Sequence, residues 1–151
     1  MKAKIMIVDD DATSLAIAKA ILEEEFEVIT AGSGISALGY LKGGEHLDLI
    51  LLDMIMPGTS GMDVLKTLKQ TPELSQIPVV FLTSMEGIDF ELEGFINGAE
   101  DFLQKPVHAG LMKMKIKRQL YIHRLKEENQ FLQQKLQTVR NEIDRIFEEV
   151  M

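Results

Sequence analysis

Five short apolar runs punctuate the first two thirds of the chain: Lys4–Val8, Glu27–Ala31, Leu47–Leu52, Pro78–Leu82 and Ala99–Leu103. Their apolar positions are consecutive rather than alternating, the pattern of strands covered on both faces. Between them lie amphipathic stretches near Ala12–Glu24, Ser33–Lys42, Gly61–Lys69 and Gly87–Asn97, which predict helices. In the first of these, Leu15, Ala18, Ile21 and Leu22 recur at helical spacing and Asp11 stands where a cap belongs. Gly43 and Gly44 stop the second. Strand and helix in alternation predict one α/β domain around a parallel sheet. Such sheets bind ligands beyond the carboxyl ends of their strands.

From about His108 the pattern changes. No glycine or proline occurs between Leu111 and Met151. A heptad runs from Ile122 to Val150, with Ile122, Asn129, Leu136, Ile143 and Val150 at one seam position and Leu125, Leu132, Val139 and Ile146 at the other. This is the a/d pattern of a coiled coil. A continuous helix over Leu111–Met151 would be about 60 Å long at 1.5 Å per residue. Asn129 at an a position favours a parallel dimer, where it meets its own copy across a two-fold axis. Lys135 facing Arg140 of the second copy, and Phe147 at an e position, weaken that seam. The expected division is a domain at 1–120 and a coiled-coil helix at 121–151.

Composition narrows the class. With 46% hydrophobic and 26% charged residues the chain is globular. No apolar run is long enough for a membrane span, and Met1-Lys2-Ala3-Lys4 does not read as a signal peptide. The absence of cysteine excludes disulfides and thiol chemistry and fits a cytoplasmic protein. Residues 1–110 carry 7 basic and 18 acidic side chains, and residues 111–151 carry 9 and 6. The acidic part repels phosphates, so nucleic acid is not expected as a partner of this chain alone. The basic cluster Lys113, Lys115, Lys117, Arg118, Arg124 and Lys126 reads as a solvated face or as a partner for acids elsewhere. His46, His108 and His123 share no ligand spacing, and the nine methionines read as core filling.

Candidate chemistry gathers at the strand ends. Asp9 and Asp10 follow the first run, Asp53 ends the third, Thr83 follows the fourth, and Lys105-Pro106 closes the fifth. Like charges about 4 Å apart repel by roughly 4 kcal/mol at an effective dielectric of 20. A divalent cation resolves that conflict, and all-oxygen donors suit Mg²⁺ or Mn²⁺. Asp53 is then a candidate nucleophile toward phosphorus, forming an acyl phosphate. Lys105 and Thr83 would stabilise the phosphoryl oxygens. Taken singly, each residue has an ordinary reading: a cap, a turn or a surface lysine.

Four motifs occur in order: Ile7-Val8-Asp9-Asp10-Asp11, Leu52-Asp53-Met54-Ile55-Met56-Pro57-Gly58 with Gly61, Leu82-Thr83-Ser84, and Asp101-Phe102-Leu103-Gln104-Lys105-Pro106. This set resembles the receiver domain of two-component response regulators. The resemblance implies a flavodoxin-like, doubly wound, five-stranded parallel sheet of order 2-1-3-4-5, its last helix extended into the coiled coil. It implies that Asp53 accepts a phosphoryl group from a histidine kinase or phosphotransfer protein. Asp10, Asp53 and the backbone carbonyl of Ile55 would ligate Mg²⁺, and Asp9 would act through water. Lys105 would pair with the phosphoryl group, its peptide to Pro106 cis. Thr83 and Phe102 would form a switch pair, the ring turning inward as Thr83 moves toward the phosphate. The protein would be a phosphoacceptor with slow autodephosphorylation rather than a turnover enzyme. Bulky Ile55 and Met85, at positions that tune dephosphorylation, imply a long-lived label. The tail resembles signalling helices that precede HD-GYP phosphodiesterase or diguanylate cyclase outputs. A homodimer is expected through the coiled coil and through the face of the fourth helix, fifth strand and fifth helix. Two alternatives compete: a phosphohydrolase of the haloacid dehalogenase type, using Asp9 and Asp11, and a stand-alone dimerisation module.

Overall fold

The computed structural model describes residues 1–84 and 88–151, the side chains of Ile88 and Asp89 excepted. Its elements run β1 (Lys4–Val8), α1 (Ala12–Leu22), β2 (Glu27–Ala31), α2 (Gly34–Lys42), β3 (Leu49–Asp53), α3 (Gly61–Gln70), β4 (Val79–Thr83), α4 (Ile88–Ile96), β5 (Asp101–Gln104) and α5 (Ala109–Val150). The strands form one parallel sheet in the order β2-β1-β3-β4-β5. The expected fold is the observed one. Met85, Glu86 and Gly87 lie outside the described residues.

Every residue of β3 and β4 is buried, as strands packed on both faces must be. Alternate side chains divide between two cores. Met6, Val8, Ile50, Leu52, Val79, Phe81 and Phe102 face one, with Ala37 and Leu41 of α2 and Val64, Leu65 and Leu68 of α3. Ile5, Ile7, Leu49, Leu51, Val80, Leu82 and Leu103 face the other, with Ala18 and Leu22 of α1 and Met112 and Ile116 of α5.

Both boundaries of β3, β4 and β5 differ from the expected ones. β3 begins at Leu49, not Leu47, because Asp48 turns back to β1: its N–H donates to the Lys4 carbonyl and its carboxylate accepts from the Lys4 N–H. Leu47 is buried all the same, so its apolar character marked core rather than strand. β3, β4 and β5 also each extend one residue further, to Asp53, Thr83 and Gln104, and β4 and β5 begin later, at Val79 and Asp101 rather than Pro78 and Ala99.

The chain divides into two compact units, Met1–Leu120 and Tyr121–Met151. In the second, Leu125, Leu132, Leu136, Val139, Ile143, Ile146 and Val150 are all exposed. Around that apolar stripe, among the described residues, the helix carries short-range contacts such as His123 with Glu127, Arg145 with Glu142, and Lys135 over the Phe131 ring.

Candidate functional site

The carboxyl edge of the sheet is where the sequence placed its acids. Asp53 ends the central strand β3, between β1 and β4. The residue that follows it has both backbone groups engaged. Met54 N–H donates to the Leu82 carbonyl, and the Gly61 N–H donates back to the Met54 carbonyl, each at 3.0 Å. A Cβ on Gly61 would stand 2.2 Å from the Asp53 carbonyl oxygen and 2.8 Å from the Met54 Cα. Only glycine lets the start of α3 come this close to β3. Ser60 and Asp63 close a capping box over that helix start.

Three carboxylates converge there. One oxygen each from Asp9, Asp10 and Asp53 lie within 4.8 Å of one another. Asp9 and Asp53 are buried and Asp10 is exposed. Asp9 accepts the Asp11 N–H at 2.9 Å, and Asp53 accepts the Ile55 N–H at 3.3 Å. Lys105 reaches in from the end of β5, its ammonium 2.7 Å from Asp9 and 3.4 Å from Asp53. It is held there by its own N–H, which donates to the Thr83 carbonyl at 2.8 Å, and the peptide to Pro106 is cis.

The electrostatics are unbalanced. Burial pushes the Asp53 carboxyl up to about 6; Lys105 pulls it down, but the adjacent Asp9 pushes it further up. Burial works against the Lys105 ammonium, yet the hydrogen bond to Asp9 and the charges of Asp53 and Asp9 outweigh it and raise its pKa. Among the described residues, one ammonium thus serves three clustered acids. A hard divalent cation fits this excess of oxygen donors.

Thr83 is buried at the end of β4, two residues beyond Phe81 and so on the same face of the sheet. Phe102 pairs in register with Phe81. Phe102 is buried, its ring packed on Phe81 and edge-on to Phe95. The Ile55 side chain is exposed beside the acids. Asp11 is committed elsewhere: it caps α1, accepting from the Thr13 N–H and the Ser14 hydroxyl. The phosphohydrolase alternative would use that carboxyl as an acid; here it accepts two hydrogen bonds at the start of α1.

The sequence missed how the basic cluster is spent. Lys115 and Arg118 both donate to the buried Asp101, and Lys117 pairs with Glu25, whose carboxyl is held below its usual range by that hydrogen bond. The reading of these cations as partners for acids within the chain is the observed one at these three positions. Gly94 was also passed over; nothing in the local pattern marks it.

Comparison with known proteins agrees with this geometry. The model of the response regulator receiver domain matches residues 5–117. The chain belongs to that family. Receivers act as phosphoacceptor switches that bind Mg²⁺ at an acidic pocket and interact with histidine kinases or phosphotransfer proteins. Response regulator PleD of Caulobacter vibrioides is 40% identical over 108 residues, covering 71% of this chain and 24% of the relative. A "probable cyclic di-GMP phosphodiesterase" of Vibrio cholerae is 34% identical over 151 residues, covering 97% of this chain and 34% of that one. Against these two relatives, the chain spans about a quarter and a third of their lengths. A response regulator receiver domain protein of Clostridium thermocellum superposes with a TM-score of 0.73 at 33% identity, covering 82% of this chain and 98% of its own. The chemotaxis protein CheY4 of Vibrio cholerae gives 0.74 at 26%, covering 78% and 98%. Among the described residues, no helix of this receiver is long and apolar enough to cross a membrane.

Proposed function

We propose that Asp53 of this receiver carries the phosphoryl label and that residues 121–151 pass the signal on as a coiled coil. What supports the reading is one observation: three carboxylates and Lys105 meet at the end of the central strand, with Asp53 fixed among them. An Asp53 oxygen attacks the phosphorus of a phosphohistidine on a histidine kinase or phosphotransfer protein. The P–N bond breaks as the P–O bond forms, and the released imidazole keeps its proton balance with solvent. Asp10, Asp53 and the Ile55 carbonyl would hold Mg²⁺, or Mn²⁺ in its place, with Asp9 acting through water. When bound, the ion neutralises carboxylate and phosphoryl oxygens alike. Lys105 supplies the second positive charge toward the phosphoryl group, and the Thr83 hydroxyl donates to one of its oxygens. Phe102 completes the switch pair. Water later releases phosphate, and no other substrate turns over.

The Ile55 side chain offers no polar atom to orient that water, so the label is long-lived. Ile55→Glu speeds phosphate release several-fold in a decay assay; an unchanged rate removes this part of the reading. Met85, the other tuning position, lies outside the described residues.

The domain division is 1–120 for the receiver and 121–151 for the signalling helix. The exposed a/d stripe pairs with a second copy, Asn129 opposite Asn129, which makes the chain a cytoplasmic homodimer. A second dimer face at α4, β5 and α5 would have Lys115, Lys117 and Arg118 as its cations. All three have partners within their own chain, which shifts the weight of pairing to the coiled coil. The relative that matches nearly the whole chain, tail included, is named for cyclic di-GMP hydrolysis. It supports an output in cyclic di-GMP turnover, of the phosphodiesterase or cyclase kind. Acetyl phosphate with Mg²⁺ should add one phosphoryl mass per chain, lost in Asp53→Ala. No adduct, or an adduct that survives that substitution, overturns the reading.

A further inference from the structure

We propose that Phe131 sets how the signalling helix pairs: its ring draws Lys135 away from Arg140 of a second copy, so that a parallel dimer forms through the apolar stripe and Asn129 rather than through charges across the seam. The inference rests on the coiled-coil reading of residues 121–151 and deepens it. Three contacts carry it, and all join the same two columns of the heptad. With Ile122 and Asn129 at a, the seam flank g holds Tyr121, Lys135 and Glu142, and the column outside it, c, holds Arg124, Phe131 and Arg145. The Arg124 guanidinium lies over the Tyr121 ring, 5.3 Å from its centroid. The Lys135 ammonium lies over the Phe131 ring, 4.7 Å from its centroid. Arg145 pairs with Glu142. Each of these g side chains is engaged on the solvent side by a residue of its own helix.

Lys135 is the position where this matters most. In a parallel pair a g side chain meets the next e side chain of the other copy, so Lys135 faces Arg140 of the second copy, and symmetry repeats the clash. Facing cations count against that pairing. An acid on the same helix would relieve them, but none is in reach: the residues three and four away from Lys135 are Leu132, Phe131, Thr138 and Val139. Of these only the Phe131 ring has a face that attracts a cation. Helical side chains lean toward the N-terminus, which carries Lys135 back over residue 131. Phe131 itself is exposed and lies outside the seam. With the flank engaged in this way, the stripe offers a partner its apolar positions and one amide. A second copy aligned in parallel matches both, with its own Asn129 opposite.

The test compares dimer dissociation constants of full-length variants by sedimentation equilibrium at low and high salt. Phe131→Leu keeps an apolar side chain and removes the ring face. Relative to the unsubstituted chain, it should weaken the dimer about threefold to fivefold in about 50 mM salt and have no effect in about 500 mM, where screening shortens the reach of charge to about 4 Å. Phe131→Tyr should match the unsubstituted chain. In an Arg140→Gln background, Phe131→Leu should have no effect at either salt. Equal affinities at low salt overturn the proposal, as does a loss that neither salt nor Arg140→Gln removes. Orientation is read separately. The chain has no cysteine, and Leu132→Cys at a d position forms a disulfide with its own copy only in a parallel pair. A monomer, or a dimer that does not cross-link, overturns this proposal together with the parallel coiled coil. A cross-linked dimer indifferent to Phe131→Leu overturns this proposal alone.

Discussion

Helices α3 and α4 border the same core and are held in opposite ways. α3 buries Gly61, Val64, Leu65 and Leu68 and starts in a capping box. Among its described side chains, α4 buries only Gly94. Even their glycines differ: Gly61 abuts the backbone of β3, whereas Gly94 abuts the end of an aromatic ring. A backbone cannot yield to an added methyl, but a ring can turn. Stability is thus spread unevenly over one face of the sheet. The firm helix fixes the place of Asp53, and the lightly held one is suited to respond.

The contrast can be broken by mutation. The largest effect belongs to α3: Leu65→Ala should cost about 2–5 kcal/mol in urea unfolding, as a fully buried leucine does. The next concerns the charge that α3 helps to keep in place. The Asp53 pKa of about 6 in the folded chain lies above its ordinary value, so the folded state favours the protonated form. In metal-free protein the ionised group therefore costs stability at neutral pH, and the cost fades as pH falls through about 6 toward 4. Asp53→Asn should stabilise the metal-free chain by about 1–3 kcal/mol at pH 7.5, a gain absent near pH 4. A gain independent of pH would point to something other than the carboxylate. Loss of the α3 cap in Ser60→Ala should cost about 1 kcal/mol. Smallest of all, Leu92→Ala on α4 should stay within about 0.5 kcal/mol. A loss as large as that of Leu65→Ala would end the comparison.

The sequence revealed these features unequally. Consecutive apolar runs announced β1, β3 and β4, since a strand buried on both faces has no polar alternation to lose. The acids were legible for the same reason: a carboxylate closing such a run has no ordinary place in a core. Leu47 misled because burial and strand are different properties, and Asp48 had already left the ladder to bond Lys4. The partners of Lys115 and Arg118 were hidden because a helical charge pattern shows which face carries cations, not which neighbouring element supplies the anion. Gly94 was invisible for a related reason. Its role arises from a ring eight residues later in the chain, on another element, and in one of several side-chain orientations.

Two hydrogen bonds on the Phe102 backbone have a consequence for assembly. An edge strand with free N–H and C=O groups is an open template for strand addition and for aggregation. At the middle of β5 both outward groups are already engaged, by Asp101 and Lys115. An incoming strand would find no pair there to zip onto without first evicting a lysine. Along this border the sheet is closed to growth, and a visitor must be greeted by helices.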